Sequence, residues 1–285
     1  MPLSRFAVST TALLVSPSLL LAEGGPVSDD MIAAQRAALA AETAGKGYGP
    51  QAPRDLNTLT GDNARTFETA PAYTEMNLCN IHFHEGAEHS GGEFTTYIGN
   101  GDGKGYNTGF AYDGELTEAE LAPVDYPVGP VGKNGALEPG DTIEVHYVHT
   151  TALVDPGPTL ASCLSEAIID PQLRVETQVF VLVNDESAGD FVELTEVGMV
   201  DGYHQALNIP SDTGAPITYA GSTTGPSYNE KGSPIQVSWS VRPQVQKVHI
   251  GSIAAWFADN IFDERKGHGV RNLVINPDLI SNIDS

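Results

Sequence analysis

Two short stretches, 82–89 and 141–149, hold five of the eight histidines of this chain. In Asn77-Leu78-Cys79-Asn80-Ile81-His82-Phe83-His84, strand alternation puts Asn80, His82 and His84 on one face. Cys79, Ile81 and Phe83 fall on the other. A His-x-His pair on a strand sets two imidazoles side by side, about 7 Å apart at their Cα atoms, so both rings can lean onto one metal. The second stretch is Asp141-Thr142-Ile143-Glu144-Val145-His146-Tyr147-Val148-His149, opened by a Pro139-Gly140 turn. Here Glu144, His146 and Val148 share a face, and Val145, Tyr147 and His149 point away. His146 is therefore the third ligand candidate. Glu144, two residues before it, is placed to accept the non-ligating N–H of His146, and the Asn80 carbonyl to do the same for His82. Three neutral imidazoles with an open fourth position describe a catalytic rather than a structural zinc site, with one Zn2+ per chain.

The elements that must carry these side chains are mostly strands. From Tyr73 onward, short apolar or alternating runs occupy 77–85, 93–98, 141–149, 174–183, 191–196, 215–219, 234–241 and 245–249. Gly-Gly at 91, Gly-Asp-Gly at 101, Pro-Gly at 139 and 156 and Lys-Gly at 231 punctuate them. That pattern predicts an antiparallel β-protein with long loops. Before it, Ser28 as N-cap, Asp29 and Asp30 in the first turn and Gly45 at the end predict a helix over 29–44. Residues 45–70, rich in Gly, Pro, Asn and Thr, are expected to be irregular. The division is a signal segment over 1–22, an N-terminal helical and irregular arm over 23–70, and one β-domain over 71–285.

The signal segment is read from Arg5, the mostly apolar run from Phe6 to Leu21, and a cleavage point after Ala22. Pro17 interrupts that run, and no other segment approaches the ~20 apolar residues of a membrane span. The expected location is the periplasm or the extracellular medium, without membrane insertion of the mature protein. Two cysteines, Cys79 and Cys163, then either form one disulfide or stay as two buried thiols. The chain carries 37 acidic and 14 basic residues, a net charge of −23. That excludes nucleic acid as the default partner, because phosphate binding needs basic stripes. It describes a strongly solvated acidic surface instead.

These residues resemble the carbonic anhydrases. Ile81-His82-Phe83-His84, then Gly86 and Glu88-His89, is similar to the α-class stretch carrying the first two zinc histidines. Glu144-Val145-His146-Tyr147-Val148-His149 is similar to the strand carrying the third. Tyr219-Ala220-Gly221-Ser222-Thr223-Thr224-Gly225-Pro226 with Val237-Ser238-Trp239, and Gly49-Pro50-Gln51-Ala52-Pro53 upstream, match in the same order. The fuller resemblance is to the δ-class, including Asn-Leu-Cys-Asn-Ile-His-Phe-His and Gly-Val-Arg-Asn-Leu at 269–273. The resemblance implies an α-carbonic-anhydrase-like fold with a mainly β, antiparallel core. It implies zinc on His82, His84 and His146, and hydration of carbon dioxide to bicarbonate and a proton by a zinc-bound hydroxide.

By the same resemblance, Thr224 is the hydroxyl that orients the nucleophile, with Thr223 left open as the alternative, and Glu88 holds that hydroxyl. Val148, Val237 and Trp239 line an apolar carbon dioxide pocket, while His89 and His149 are structural. The segment bearing the α-class proton-shuttle histidine has no counterpart, and His204 is the loop histidine to test. A homodimer is left open. Two other readings compete. One is a cupin-like metal-dependent oxygenase or isomerase using a glutamate such as Glu88 or Glu93, and the other a non-catalytic periplasmic zinc-binding protein. The first would show a carboxylate in the metal shell, the second a His-rich tract.

Overall fold

The computed structural model describes residues 25–46, 48–168, 170–224 and 229–283, without the side chains of Pro50 and Thr224. The expected signal segment over 1–22 lies outside the described residues. Six strands build the central sheet: β1 (Pro50–Ala52), β2 (Asn77–Glu85), β5 (Thr142–Thr150), β6 (Leu173–Val183), β9 (Ile217–Thr224) and β10 (Gly232–His249). Their order is β1-β9-β10-β6-β5-β2. Two hairpin-like pairs stand apart, β3 (Thr96–Asn100) with β4 (Thr108–Ala111) and β7 (Val197–Val200) with β8 (Tyr203–Ala206).

The sheet is mixed rather than wholly antiparallel. β2, β5 and β6 pair antiparallel in sequence, as do β9 and β10, but β10 runs parallel to β6 and β1 parallel to β9. Alternation within a strand reports which face is buried and carries no information on the neighbour's direction, so the parallel pairings were not readable in the pattern. The runs at 234–241 and 245–249 are one strand, β10, whose pairing with β6 jumps from Val241 to Val245 around Pro243. Proline has no N–H to give a ladder, which explains the local break.

The run 191–196 is a correction. It holds a short helix, α2 (Phe191–Leu194), because the Asp190 carboxylate accepts the N–H groups of Val192 and Glu193. That cap outcompetes the alternation of Phe191-Val192-Glu193-Leu194. A further helix, α3 (Ile250–Ala258), buries Ile250, Ile253, Trp256 and Phe257, a helical spacing.

The sheet separates two apolar clusters. On one side Phe83, Val145, Tyr147 and Phe180 meet α2 and α3 through Phe191, Trp256 and Phe257. On the other, Val148, Leu173, Val175, Val237 and Trp239 form a second cluster with Cys79, Cys163 and Tyr219. The N-terminal helix α1 (Asp29–Thr43) packs on the outside, burying Ile32, Gln35, Leu39 and Thr43. Leu39 joins Val274, Leu279 and Ile280 of the C-terminal segment. No helix of the described residues is long and apolar enough to cross a membrane.

Cys79 and Cys163 form a disulfide across 84 residues of sequence. Cys79 has no partner of its own on β5, where Leu78 faces His149 and Asn80 faces Val148. This bulge lets Cys79 leave the ladder for the disulfide while Asn80, His82 and His84 keep their common face. A loop of that length implies up to about 4.5 kcal/mol of chain-entropy stabilisation. The expected outcome of the double substitution Cys79→Ser and Cys163→Ser is a fall in Tm of about 10 °C, read by calorimetry. An unchanged Tm would show that the bridge is not holding the β2 bulge.

Candidate metal centre

β2 and β5 place His82 directly opposite His146, and His84 opposite Glu144. The three rings converge, with centroids 5.4 Å (His82–His84), 5.1 Å (His82–His146) and 4.8 Å (His84–His146) apart. One ligating atom from each of the three lies within 4.8 Å of the others.

Each ring has one nitrogen already committed. The Asn80 amide nitrogen donates to the Gly157 carbonyl (3.0 Å), so the Asn80 carbonyl oxygen faces His82 Nδ1 at 2.7 Å. His82 must donate there, which leaves its Nε2 as a lone pair. His84 Nδ1 donates to the Gly269 carbonyl (2.9 Å) and leaves Nε2. His146 Nε2 donates to Glu144 Oε1 (2.8 Å) and leaves Nδ1. The freed His82 Nε2 and His146 Nδ1 stand 3.4 Å apart. With the tautomers so fixed, two lone pairs face each other with no proton between them, an arrangement that a cation resolves. The separation equals the roughly 3.3–3.4 Å expected between two nitrogens sharing a tetrahedral zinc at about 2.0–2.1 Å. The donor set therefore fits zinc.

Burial keeps His82 and His84 neutral, the form in which an imidazole can hold a metal. Burial, reinforced by His146 and His84, holds His82 well below the usual imidazole range. Burial brings His84 down to about 4, against the pull of Glu88. Glu144 has no solvent exposure, and burial opposes its charge. His89 and His146 outweigh that and hold its carboxyl well below the usual range. It receives three N–H groups, from His146 Nε2 (2.8 Å), His89 Nδ1 (2.7 Å) and the His89 backbone (2.9 Å). His89 Nε2 in turn accepts the Tyr219 hydroxyl at 2.6 Å, and burial pushes that phenol well above its usual value, so it stays a donor.

A cavity of about 290 Å³ opens over the three rings. Val148, Val237 and Trp239 line it, together with Leu173 and Val175 from β6, which the sequence reading missed although their strand phase matches that of Val148. Glu88 also lines it, and its Oε1 accepts the Arg271 backbone N–H (2.8 Å) and lies 3.3 Å from His84 Nδ1. Both buried carboxylates are thus held by N–H donors.

The Thr224 side chain lies outside the described residues. Thr223 shares the strand face of Tyr219 and lines the cavity, with its Oγ1 accepting from Arg271 Nη1 at 3.0 Å. His149 is fully buried away from the cavity, donating to the Tyr147 carbonyl. His204 is a correction: it sits on β8 rather than a loop, near Asp155, and does not line the cavity. The half-exposed His268 does, with its ring 5.5 Å from that of His82 and its Nε2 2.7 Å from Glu264 Oε2. His268, Glu264 and Arg271 arrive on irregular chain after α3, where no periodicity marks a face; only the match at 269–273 pointed to that segment.

A family model described as delta carbonic anhydrase matches residues 73–252, and no curated protein matches the chain. Among solved structures, the chain is similar to an α-carbonic anhydrase of Photobacterium profundum, at 16% identity over 82% of this chain and 88% of that one, with a TM-score of 0.28. It is also similar to the α-carbonic anhydrase of Thermovibrio ammonificans in complex with the inhibitor sulfanilamide, at 14% identity over 79% and 84%, with a TM-score of 0.25. The matched residues take in both histidine strands, the disulfide, and the β9 and β10 wall of the cavity, and on that match the chain belongs to the delta carbonic anhydrase family.

Proposed function

We propose that the centre binds one zinc ion and that the cavity hydrates carbon dioxide reversibly to bicarbonate and a proton. The observation that carries this reading is the pair of facing nitrogens, His82 Nε2 and His146 Nδ1, at 3.4 Å with their other nitrogens committed. Zinc in an all-imidazole site supplies the Lewis acidity that makes water a nucleophile near neutral pH.

The chain's residues supply the rest. His82, His84 and His146 hold the ion, and Asn80, the Gly269 carbonyl and Glu144 hold their tautomers. Val148, Leu173, Val175, Val237 and Trp239 present apolar surface suited to a substrate with no net dipole. We assign the orienting hydroxyl to Thr223, tethered by Arg271, with Glu88 fixing the Arg271 backbone. The proton leaves by His268, which reaches from the cavity toward solvent and is paired with Glu264. The apolar run over 6–21 and the disulfide support export to an oxidising compartment.

His146→Ala is expected to lose both zinc and carbon dioxide hydration, while His149→Ala retains about one zinc per chain. Metal analysis beside stopped-flow assays checks this, and the reverse pattern would overturn the ligand set. His268→Ala is expected to slow turnover by roughly tenfold or more in weak buffer, with recovery on adding imidazole. Turnover equal to wild type at every buffer strength would remove His268 from the proton route.

A further inference from the structure

The crevice between α1 and the C-terminal segment collects hydrogen-bond donors that have no acceptor among the described residues. Two cavities of about 140 and 380 Å³ adjoin there and share Arg36, Asn272 and Leu273 in their walls. Arg271, which also lines the metal cavity, closes the smaller one. Arg36 Nε is buried with no acceptor among the described residues. Asn229, only 2% exposed, lines the larger cavity. Its Oδ1 accepts the Asn272 N–H at 2.7 Å, which fixes the amide's orientation and leaves Nδ2 buried with no acceptor among the described residues.

The charge is equally unbalanced. Among the described residues, ion pairs tie up Lys46, Arg174, Lys247 and Arg265, but none reaches Arg36 or Arg271. Two guanidinium groups, Arg36 and Arg271, wall the smaller cavity, and no carboxylate is among its lining residues. Arg271 spends one N–H on Thr223 Oγ1 and no carboxylate answers the rest. A wall of donors and positive charge selects a ligand that only accepts, and guanidinium forks match the oxygens of small oxyanions.

We propose that this crevice is a binding site for a small oxyanion, held between Arg36 of α1 and Arg271 of the C-terminal segment. The 140 Å³ chamber admits an ion of the size of bicarbonate, phosphate or sulfate. Its occupant fastens α1 to the body of the protein, beside the Gln35 side-chain bonds to Asn272 and to the Gly103 carbonyl. It also braces Arg271, whose other contacts are Thr223 and Glu88 in the metal cavity. The crevice needs no metal to bind an anion; only the naming of bicarbonate as a reaction product rests on the proposed function.

The test is thermal unfolding of the zinc-loaded, full-length protein titrated with bicarbonate, phosphate or chloride at matched ionic strength. The expected result is a saturable rise in Tm of about 3 °C at tenfold excess over the Kd for an oxyanion but not for chloride. Response at lower bicarbonate than phosphate marks the reaction product as the ligand, and the opposite order marks a mineral oxyanion. Arg36→Gln is expected to retain its zinc and to weaken the oxyanion response at least tenfold. Asn229→Asp keeps the bond to Asn272, adds a carboxylate to the adjoining larger chamber, and is expected to weaken the oxyanion response by putting a negative charge beside it. An Arg36→Gln response equal to wild type would place the ion elsewhere. An equal rise with chloride, or no rise with any anion, would show that water alone meets these donors. Either result overturns the proposal.

Discussion

A single buried carboxylate organises this molecule. Glu144 lies in the middle of β5 with no solvent exposure, and three N–H groups from His146 and His89 converge on it. An unpaired charge at that depth would cost several kcal/mol. These bonds are therefore obligatory, and they dictate the rest. They force the proton of His146 onto Nε2 and turn its Nδ1 toward His82. They anchor His89, and through it Tyr219 on β9. Strands distant in sequence are thus tied at one point beneath the cavity floor.

Around that point the sheet acts as a ruler. The β2–β5 register sets His82 against His146, and the β5–β6 register sets Val148 against Val175. The polar centre and the apolar wall are therefore consecutive positions of the same ladder. A one-residue slip of β2 would carry His82 and His84 to the opposite face, among Phe191, Trp256 and Phe257. The bulge at Cys79 and its disulfide lie immediately before Asn80, whose carbonyl meets His82, so the covalent tie guards the register where the histidine face begins.

Much of the centre was legible because it sits on regular strands. Period-two alternation alone separates His146 from His149 and Glu144 from Val145, and the structure buries His149 away from the cavity on that phase. The helix over 29–44 was legible from its acidic first turn and glycine stop, ending within one residue of α1, although the Ser28 side chain makes no capping bond. What failed had different causes. Strand direction left no mark in the alternation of β6 and β10. At 191–194 a single capping aspartate overrode an alternating pattern. His268, Glu264 and Arg271 sit on irregular chain, placed by backbone bonds such as His268 N–H to the Phe83 carbonyl and Arg271 N–H to Glu88. Such contacts join residues more than 180 apart and have no local signature. The double threonine at 223–224 is an intermediate case. Strand phase puts Thr223 on the face of Tyr219, whose ring stacks on Trp239 of the cavity wall.

The central claim is that three imidazoles of fixed tautomer converge on one cation. Anomalous diffraction at the zinc edge from a crystal of the zinc-loaded protein measures this directly. The account predicts one peak per chain, about 2.0–2.1 Å from His82 Nε2, His84 Nε2 and His146 Nδ1, with no protein atom in the fourth position. A peak bound instead by Glu88 or Glu144, or a fourth side chain such as His268 completing the shell, would contradict it.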